Sequence, residues 1–218
     1  MDYQKEIARS LLEIGAVGFK PKDPLTFKSG LISPVYVDNR IFPAHPEKFK
    51  LVINGFENLV KEKNIDFDMV AGIAVGGIPY SAVLGYEMRK PSIFIRKEAK
   101  GHGKGKRIEG GDVSGKKILL VEDLVSTGGS SLSGVEALRE EGATVDDCLV
   151  IVSYEFKEAQ ENFEKAKVSL RALTSFPVIF QEAVEMKKIT KEEKKIVEDW
   201  YSDPWNWAEK YGFLSRSS

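Results

Sequence analysis

The feature that most constrains the fold is an alternation of short apolar runs and helix-like stretches between residues 69 and 173. The apolar runs are nearly uninterrupted, as in Lys117–Asp123, where residues 118–121 are all apolar. Strands of this kind are buried on both faces, and strands that alternate with helices form parallel sheets through right-handed crossovers. The sequence therefore predicts an α/β fold with a central, mainly parallel sheet flanked by helices.

Hydrophobic periodicity, together with glycine and proline positions, gives the boundaries of the predicted elements. The predicted strands are Val35–Val37, Met69–Val75, Ser92–Ile95, Lys117–Asp123, Asp147–Tyr154 and Val168–Leu173. The predicted helices cover residues 3–14, begin at Pro46 and near Pro79, and cover Gly128–Glu141 and Lys157–Lys167. Two more helices are expected after them, the second with a capping box of Thr190 and Glu193.

Length and charge restrict the class of protein. The 218 residues, 42% of them hydrophobic, are enough for one core, so we expect one domain, with two small domains as the alternative. A net charge of −1 gives no global basic surface for nucleic acid. No apolar run approaches the roughly 20 residues that span a bilayer, and the N-terminus lacks an apolar signal core. A soluble, cytosolic protein is expected.

The cysteine and the tryptophans are assigned to packing. The single cysteine, Cys148, lies in an apolar run and predicts a buried thiol, since one cysteine supports neither a disulfide nor a metal cluster. Trp200, Trp205 and Trp207 lie close together in the C-terminal part of the chain. We interpret them as packing residues or a subunit contact in preference to a binding site.

The most informative motif joins the strand Lys117–Asp123 to the next helix. Two carboxylates, Glu122 and Asp123, precede a turn of glycine and hydroxyl residues, 126–130. Ligands of open α/β sheets bind beyond the carboxyl ends of the strands, and such a turn directs backbone N–H groups and the helix dipole at a phosphate. The carboxylates can accept hydrogen bonds from ribose hydroxyls, so a ribose 5-phosphate site is predicted. The alternative is a tight turn with surface acids, and a P-loop is excluded because its lysine pattern is missing.

A second motif is the basic loop Arg96–Arg107, which contains six Lys or Arg residues and three glycines among twelve residues. A loop of this composition can close over a polyanion and exclude water. It is not a dinucleotide fingerprint, because no apolar helix follows it. Its composition alone leaves a solvated loop, a weak nucleic-acid patch and a catalytic loop open.

Four segments together resemble a known family. Residues 118–130 resemble the motif that binds phosphoribosyl pyrophosphate (PRPP) in type I phosphoribosyltransferases. Arg96–Gly103 resembles the catalytic loop of the orotate phosphoribosyltransferases, which purine-specific relatives lack. Phe27–Gly30, followed by Ser33–Val37, resembles the hood that this family places over the base, and Ala74–Pro79 resembles its pyrophosphate loop.

The resemblance implies the type I phosphoribosyltransferase fold over residues 1–218, with a hood of about 1–45, a core of about 46–175 and a helical C-terminal extension of about 176–218. It implies transfer of the phosphoribosyl group from PRPP to orotate, giving orotidine 5′-monophosphate and pyrophosphate in pyrimidine biosynthesis. It also implies a Mg²⁺ cofactor held mainly through PRPP, with no protein ligand assigned. The expected assembly is a cytoplasmic homodimer that shares loop 96–107 between subunits and binds neither nucleic acid nor membrane.

The resemblance also assigns residues. In the catalytic loop, Arg96, Lys100 and His102 would contact PRPP in the neighbouring subunit, and Lys97 would act in its own subunit. The residues implied to bind PRPP are Val75, Gly76, Glu122, Asp123, Leu124, Val125, Ser126, Thr127, Gly128, Gly129 and Ser130. The residues implied to bind orotate are Lys28, Ser126 and Tyr36.

Three positions depart from the family pattern. The acid pair is Glu122–Asp123 where Asp-Asp is frequent, and Val75–Gly76 lacks a lysine that some members carry. Tyr154–Phe156 stands where some members have an arginine that grips orotate, so base binding is expected to depend more on Lys28, Ser126 and backbone groups. The rival interpretations are a phosphoribosyltransferase for another base, a non-catalytic PRPP-sensing regulator and a purely structural oligomerisation domain.

Overall fold

The computed structural model describes residues 3–27, 29–98 and 107–213. The helices are α1 (Tyr3–Glu13), α2 (Pro46–Glu62), α3 (Ile78–Glu87), α4 (Gly129–Glu140), α5 (Lys157–Lys165), α6 (Phe176–Glu185), α7 (Lys191–Ser202), α8 (Trp207–Lys210) and a 3₁₀ helix (Asn39–Ala44). The strands are β1 (Val17–Phe19), β2 (Leu25–Thr26), β3 (Ile32–Ser33), β4 (Val35–Val37), β5 (Met69–Ile73), β6 (Ser92–Ile95), β7 (Ile108–Glu109), β8 (Lys117–Val125), β9 (Thr144–Ser153) and β10 (Ser169–Ser175). In the described ranges, no helix combines the length and apolar character needed to cross a membrane.

Within the described residues, six strands form the central sheet in the order β10-β9-β8-β5-β6-β7. Neighbouring strands are parallel except for β7, which is antiparallel to β6. The chain adds β6 on one side of β5 and then β8, β9 and β10 on the other, so the direction reverses between β5 and β8. Ligands of such sheets bind at this switch point, beyond the carboxyl ends of the strands. The predicted mainly parallel sheet is confirmed.

Helices cover both faces of the sheet. Leu119 and Val121 of β8 pack in a core cluster with residues of α1, α2, α3 and α6. Their neighbours Ile118 and Leu120 pack in a second cluster with residues of α4 and α5. Successive side chains of a strand point to opposite faces, which is why a doubly covered strand is apolar throughout. Cys148 on β9 is fully buried, as predicted.

A third cluster joins the N-terminal strands to the C-terminal helices around Tyr154. Leu31, just before β3, packs in it with Trp200 of α7 and Trp207 of α8. The indole Nε1 of Trp200 donates a hydrogen bond to the carbonyl oxygen of Ile32 at 3.0 Å. The predicted packing role of these two tryptophans is confirmed. The residues that precede the sheet and those that follow it therefore form one structural unit.

The sequence predicted most element boundaries to within a few residues, with one difference that matters for the site. The strand Lys117–Asp123 was predicted too short, because β8 continues to Val125 and stays paired with β9 through Ser153. The predicted capping box is confirmed: Thr190 Oγ1 accepts from the Glu193 N–H at 3.2 Å, and the Glu193 carboxylate accepts from the Thr190 N–H at 2.9 Å.

Trp200→Ala is expected to lower the free energy of unfolding by about 3–5 kcal/mol, because it empties a fully buried site and leaves the Ile32 carbonyl without its donor. Urea denaturation measures the change. Trp205, 49% exposed, supplies the matched control, and Trp205→Ala is expected to cost about 0.5 kcal/mol or less. A loss in Trp200→Ala as small as that expected of Trp205→Ala would show that the third cluster does not stabilise the fold.

Candidate active site

The crevice between β5 and β8 contains the predicted pair of carboxylates. The ladder between these strands ends at the pair Gly72 and Val121. Glu122 and Asp123 lie beyond that point, while β8 remains paired with β9 on its other side. Glu122 is buried and Asp123 is partly exposed, so Asp123 is the more accessible of the two carboxylates.

Glu122 is held by two hydrogen bonds. Its Oε1 accepts from the Asp123 N–H at 3.1 Å, and its Oε2 accepts from the Ser131 hydroxyl at 3.4 Å. Burial, and then the neighbouring Asp123 carboxyl, raise the pKa of Glu122 well above its usual range. Glu122 therefore takes up a proton more readily than an exposed carboxyl does. Ser131 was absent from the predicted site, since a serine in the first turn of a helix is also common as a plain capping residue.

The Asp123 carboxylate lies against the loop that connects β5 to α3. A Cβ atom added at Gly76 would overlap this carboxylate, and one added at Gly77 would overlap the carbonyl oxygen of Val121. A side chain at Gly77 would therefore strike the backbone, and one at Gly76 would force the Asp123 carboxylate to move. The structure thus brings the predicted residues Gly76 and Asp123 together, with Val75 strongly exposed beside them.

The turn 126–130 leads directly into the N-terminus of α4, the open end of this helix. Gly128 has φ +84°, and a Cβ atom there would lie 2.8 Å from the Phe163 ring, so the position requires glycine. The N–H of Leu132 donates to the Gly128 carbonyl at 3.0 Å, which leaves the preceding N–H groups at the helix start without intrahelical acceptors. The first turn of α4 contains no acidic residue. This geometry suits a phosphate group.

Leu124 and Val125, both predicted to bind PRPP, belong to strand β8 instead of the turn. They can contact a ligand through their backbone groups. The Val125 side chain is buried in the second core cluster, whereas Leu124 is partly buried against the first and third clusters. The carbonyl of Val125 accepts from the Tyr154 N–H at 2.9 Å, and the Tyr154 ring packs 5.7 Å from the Phe27 ring. Lys28 lies outside the described residues, but its neighbour Phe27 is thus placed close to the start of the turn.

The surroundings of the predicted base site are aromatic. Tyr154, at one of the expected departures from the family pattern, is fully buried among other rings, and Glu155 after it is exposed. The Tyr36 ring packs on Gly18, with the Lys20 ammonium 5.4 Å from its centroid. The assignment of Tyr36 to orotate binding stays a prediction.

Hydrogen bonds join Arg96 and Arg107, the two ends of the basic loop. The Arg96 N–H donates to the Arg107 carbonyl at 2.8 Å, and the Arg107 Nε donates back to the Arg96 carbonyl at 2.9 Å. Arg107 Nη1 also donates to the carbonyl and the hydroxyl of Ser133 on α4, both at 3.0 Å. The Arg96 guanidinium lies 3.5 Å from Glu109 on β7. The sequence did not predict β7 or this closure.

The base of the loop lies beside the crevice. The loop follows β6, and the Ala74 N–H at the start of the predicted pyrophosphate loop donates to the Ile95 carbonyl at 2.9 Å. Lys97 is exposed at this edge of the sheet. Lys100 and His102 lie outside the described residues, so their predicted roles rest on the sequence.

In the part of the chain that the structure describes, no group of three or more His, Cys, Asp or Glu side chains is arranged to hold a metal ion. The oxygen donors in the crevice are the carboxylates of Glu122 and Asp123. Mg²⁺ commonly binds one or two carboxylates, keeps several waters and takes its remaining ligands from substrate phosphates. The donor set therefore fits a Mg²⁺ ion held largely by a bound phosphorylated ligand.

Comparisons with known proteins cover almost the whole chain. The phosphoribosyl transferase domain family matches residues 41–184. An orotate phosphoribosyltransferase of Coxiella burnetii is 42% identical over 207 residues, which cover 95% of this chain and 99% of the relative. Its counterpart in Bacillus cereus is 42% identical over 205 residues, which cover 94% of this chain and 98% of the relative.

Solved structures agree with the sequence relatives. An orotate phosphoribosyltransferase of Aeropyrum pernix has a TM-score of 0.73 at 27% identity, with 84% of this chain and 99% of that chain covered. The UMP synthase of Leishmania donovani has a TM-score of 0.80 at 27% identity over 91% of this chain, which spans 42% of that longer protein. The sequence matches at 42% identity over nearly the full chain, together with the domain match, show that the chain belongs to the orotate phosphoribosyltransferases, enzymes of the phosphoribosyl transferase domain family.

Proposed function

We propose that the protein transfers the 5-phosphoribosyl group from PRPP to orotate, giving orotidine 5′-monophosphate and pyrophosphate, in the synthesis of UMP. The observation that carries this proposal is the crevice between β5 and β8, where a carboxylate pair lies next to a glycine turn and the open end of α4. This arrangement offers acceptors for a ribose diol and donors for a 5′-phosphate side by side. Relatives that match nearly the full chain are named for orotate, which supports orotate as the acceptor base.

In the proposed complex, PRPP lies along the crevice. Glu122 and Asp123 accept hydrogen bonds from the ribose hydroxyls, and the backbone and hydroxyl groups of residues 124–130 bind the 5′-phosphate. The pyrophosphate lies over Val75, which is exposed, and Gly76, which has no side chain to cover the backbone. The Asp123 carboxylate rests on Gly76, so the ribose and pyrophosphate subsites adjoin directly.

The reaction breaks the bond between C1 of the ribose and the pyrophosphate oxygen. Positive charge develops on the ribose ring and negative charge on the leaving oxygens, so cations near the pyrophosphate lower the barrier. We assign this role to Lys97, Arg96, Lys100 and His102, the last three reaching the neighbouring active site of a cytoplasmic homodimer through loop 96–107. Mg²⁺ held mainly by PRPP oxygens would add further positive charge there, with Asp123 as the partly exposed protein donor.

Orotate is proposed to bind under the N-terminal hood. As its ring nitrogen forms the bond to C1 of the ribose, the proton on that nitrogen passes to water or to the leaving pyrophosphate, and positioning of the two reactants is expected to dominate. Lys28, Ser126 and Tyr36, together with backbone groups, are the proposed contacts. The packing of Phe27 on Tyr154, whose N–H donates to the Val125 carbonyl, supports a hood that lies next to the turn containing Ser126.

The proposed activity is tested by following orotate absorbance in the presence of PRPP and Mg²⁺. Orotate is expected to be consumed, whereas uracil, adenine and hypoxanthine, assayed in parallel, are expected to remain. Consumption of a purine without orotate would place the protein in another branch of the family. PRPP binding without consumption of any base would favour a PRPP-sensing regulator.

Lys100→Ala is expected to reduce kcat by about 10²–10³, because the variant lacks a cation beside the leaving pyrophosphate, and to leave the fold intact. Steady-state kinetics and thermal unfolding measure the two effects. Lys63→Ala, which changes an exposed lysine at the end of α2, is the matched control with unchanged kcat. An unchanged kcat in Lys100→Ala would remove the loop from the mechanism.

The same variant tests whether the loop is shared. Each mixed dimer of a Lys100→Ala chain and an Asp123→Ala chain would contain one intact site and one doubly defective site. Random mixing should therefore restore roughly a quarter of wild-type activity, since half of the dimers are mixed. No recovery after subunit exchange would mean that each loop serves its own subunit.

Glu122→Gln is expected to raise the KM for PRPP by about tenfold or more at alkaline pH and by less at acid pH. The raised pKa of Glu122 means that the wild-type carboxyl becomes protonated as pH falls, and a neutral carboxyl accepts ribose hydroxyls less well than a carboxylate does. The measurement is the ratio of the two KM values across pH, which cancels the titration of PRPP itself. A ratio that does not change with pH would contradict a titrating Glu122.

A further inference from the structure

Asn39 is a fully buried polar residue between the hood and the crevice. It begins the 3₁₀ helix that follows β4, and Asp38 caps this helix by accepting from the Arg40 N–H at 3.1 Å. Burying an amide side chain is unfavourable unless it is hydrogen-bonded. A buried asparagine at this place therefore indicates a specific partner.

The partner is the main chain of an acid in the active site. Asn39 Nδ2 donates to the carbonyl oxygen of Asp123 at 2.7 Å. In a continuous sheet the neighbouring strand would supply this donor, but the ladder between β5 and β8 ends at the pair Gly72 and Val121. The Asn39 amide thus takes the place of the missing strand at the point where Asp123 enters the crevice.

Asn39 is also hydrogen-bonded to helix α3, on the other side of the crevice from β8. The main-chain carbonyl oxygen of Asn39 accepts from the hydroxyl of Tyr80, a fully buried residue on α3. Burial raises the pKa of Tyr80, so the hydroxyl remains a neutral donor. Because α3 directly follows the loop that contains Gly76, one residue connects the β8 acid to the element that carries the predicted pyrophosphate loop.

We propose that Asn39 is a positioning residue for phosphoribosyl transfer, which fixes Asp123 relative to the loop that receives the pyrophosphate. Since it is fully buried, it acts through the Asp123 main chain and not by contact with substrate. The proposal rests on the function proposed above, in which Asp123 holds the ribose hydroxyls. Without the Nδ2 donor, the Asp123 carbonyl loses its partner and the end of β8 is no longer held in register with Gly76.

The test compares ligands that contain a ribose with ligands that do not. Asn39→Leu keeps the branched shape and the number of heavy atoms of the side chain and removes the donor. The dissociation constants of PRPP and orotidine 5′-monophosphate are expected to rise by about tenfold or more, as for the loss of one buried hydrogen bond. The dissociation constant of pyrophosphate, measured without Mg²⁺, and the KM for orotate are expected to stay within about twofold, because neither orotate nor metal-free pyrophosphate binds through Asp123.

Two further variants separate positioning from general loosening. Tyr80→Phe removes the other hydrogen bond to Asn39 but keeps the donor to Asp123, so it is expected to lower the unfolding temperature and to weaken PRPP binding less than Asn39→Leu does. In an Asp123→Ala background, Asn39→Leu is expected to add no further loss of PRPP affinity, because the residue through which it acts is gone.

The proposal is overturned if a folded Asn39→Leu variant binds PRPP as the wild type does, or if pyrophosphate and orotate weaken as much as PRPP. It is also overturned if the loss persists in the Asp123→Ala background. Should Asn39→Leu fail to fold, Asn39→Ser, whose side chain is too short to reach Asp123, undergoes the same measurements. A wild-type protein that neither binds PRPP nor consumes orotate would refute the proposed function, independently of Asn39.

Discussion

The active-site end of the sheet depends on the early departure of β5. This strand ends at Ile73, and its chain turns into α3 so tightly that a Cβ atom on Gly72 would lie 2.8 Å from the Gly77 carbonyl. The turn leaves β8 without a neighbour on one side for its last residues, while β9 supports the other side. The carboxylates of Glu122 and Asp123 occupy the resulting gap. A longer β5 would cover these residues with a strand and remove the crevice.

The gap contains two carboxylates and adjoins the base of the basic loop. Two adjacent carboxylates, one of them buried, are unfavourable together until a ligand donates hydroxyl groups to them. The basic loop begins at the neighbouring strand β6, and Arg107 ties its base to α4. A ligand that fits must therefore offer hydroxyl donors at its centre and negative charge at both ends. PRPP, with its ribose diol between a phosphate and a pyrophosphate, has this distribution.

The central strands could be predicted from sequence because burial on both faces leaves an unbroken apolar run. The end of β8 could not, since Glu122 and Asp123 interrupt that run although the pairing with β9 continues. Strands of two or three residues, such as β2, β3 and β7, are too short to show a period. Their existence depends on tertiary pairing.

In the site as well, local features could be predicted from the sequence and tertiary contacts could not. The acid pair and the glycine turn are contiguous, so their chemistry is visible in the sequence. Asn39 reaches Asp123 across 84 positions, and Ser131 reaches Glu122 from the far side of the turn, so no local pattern reveals either contact. Lys28 and residues 99–106 lie outside the described residues, and their roles remain predictions from sequence.

The third core cluster has a consequence for synthesis of the chain. Leu31 near the beginning packs with Trp200 and Trp207 near the other end, around Tyr154 at the edge of the turn. While a ribosome is still translating α6, the sheet and its acid pair have already been made, but both tryptophans are missing. The N-terminal segment proposed to cover the base is thus translated first but gains its packing partners last, when α7 and α8 have been made.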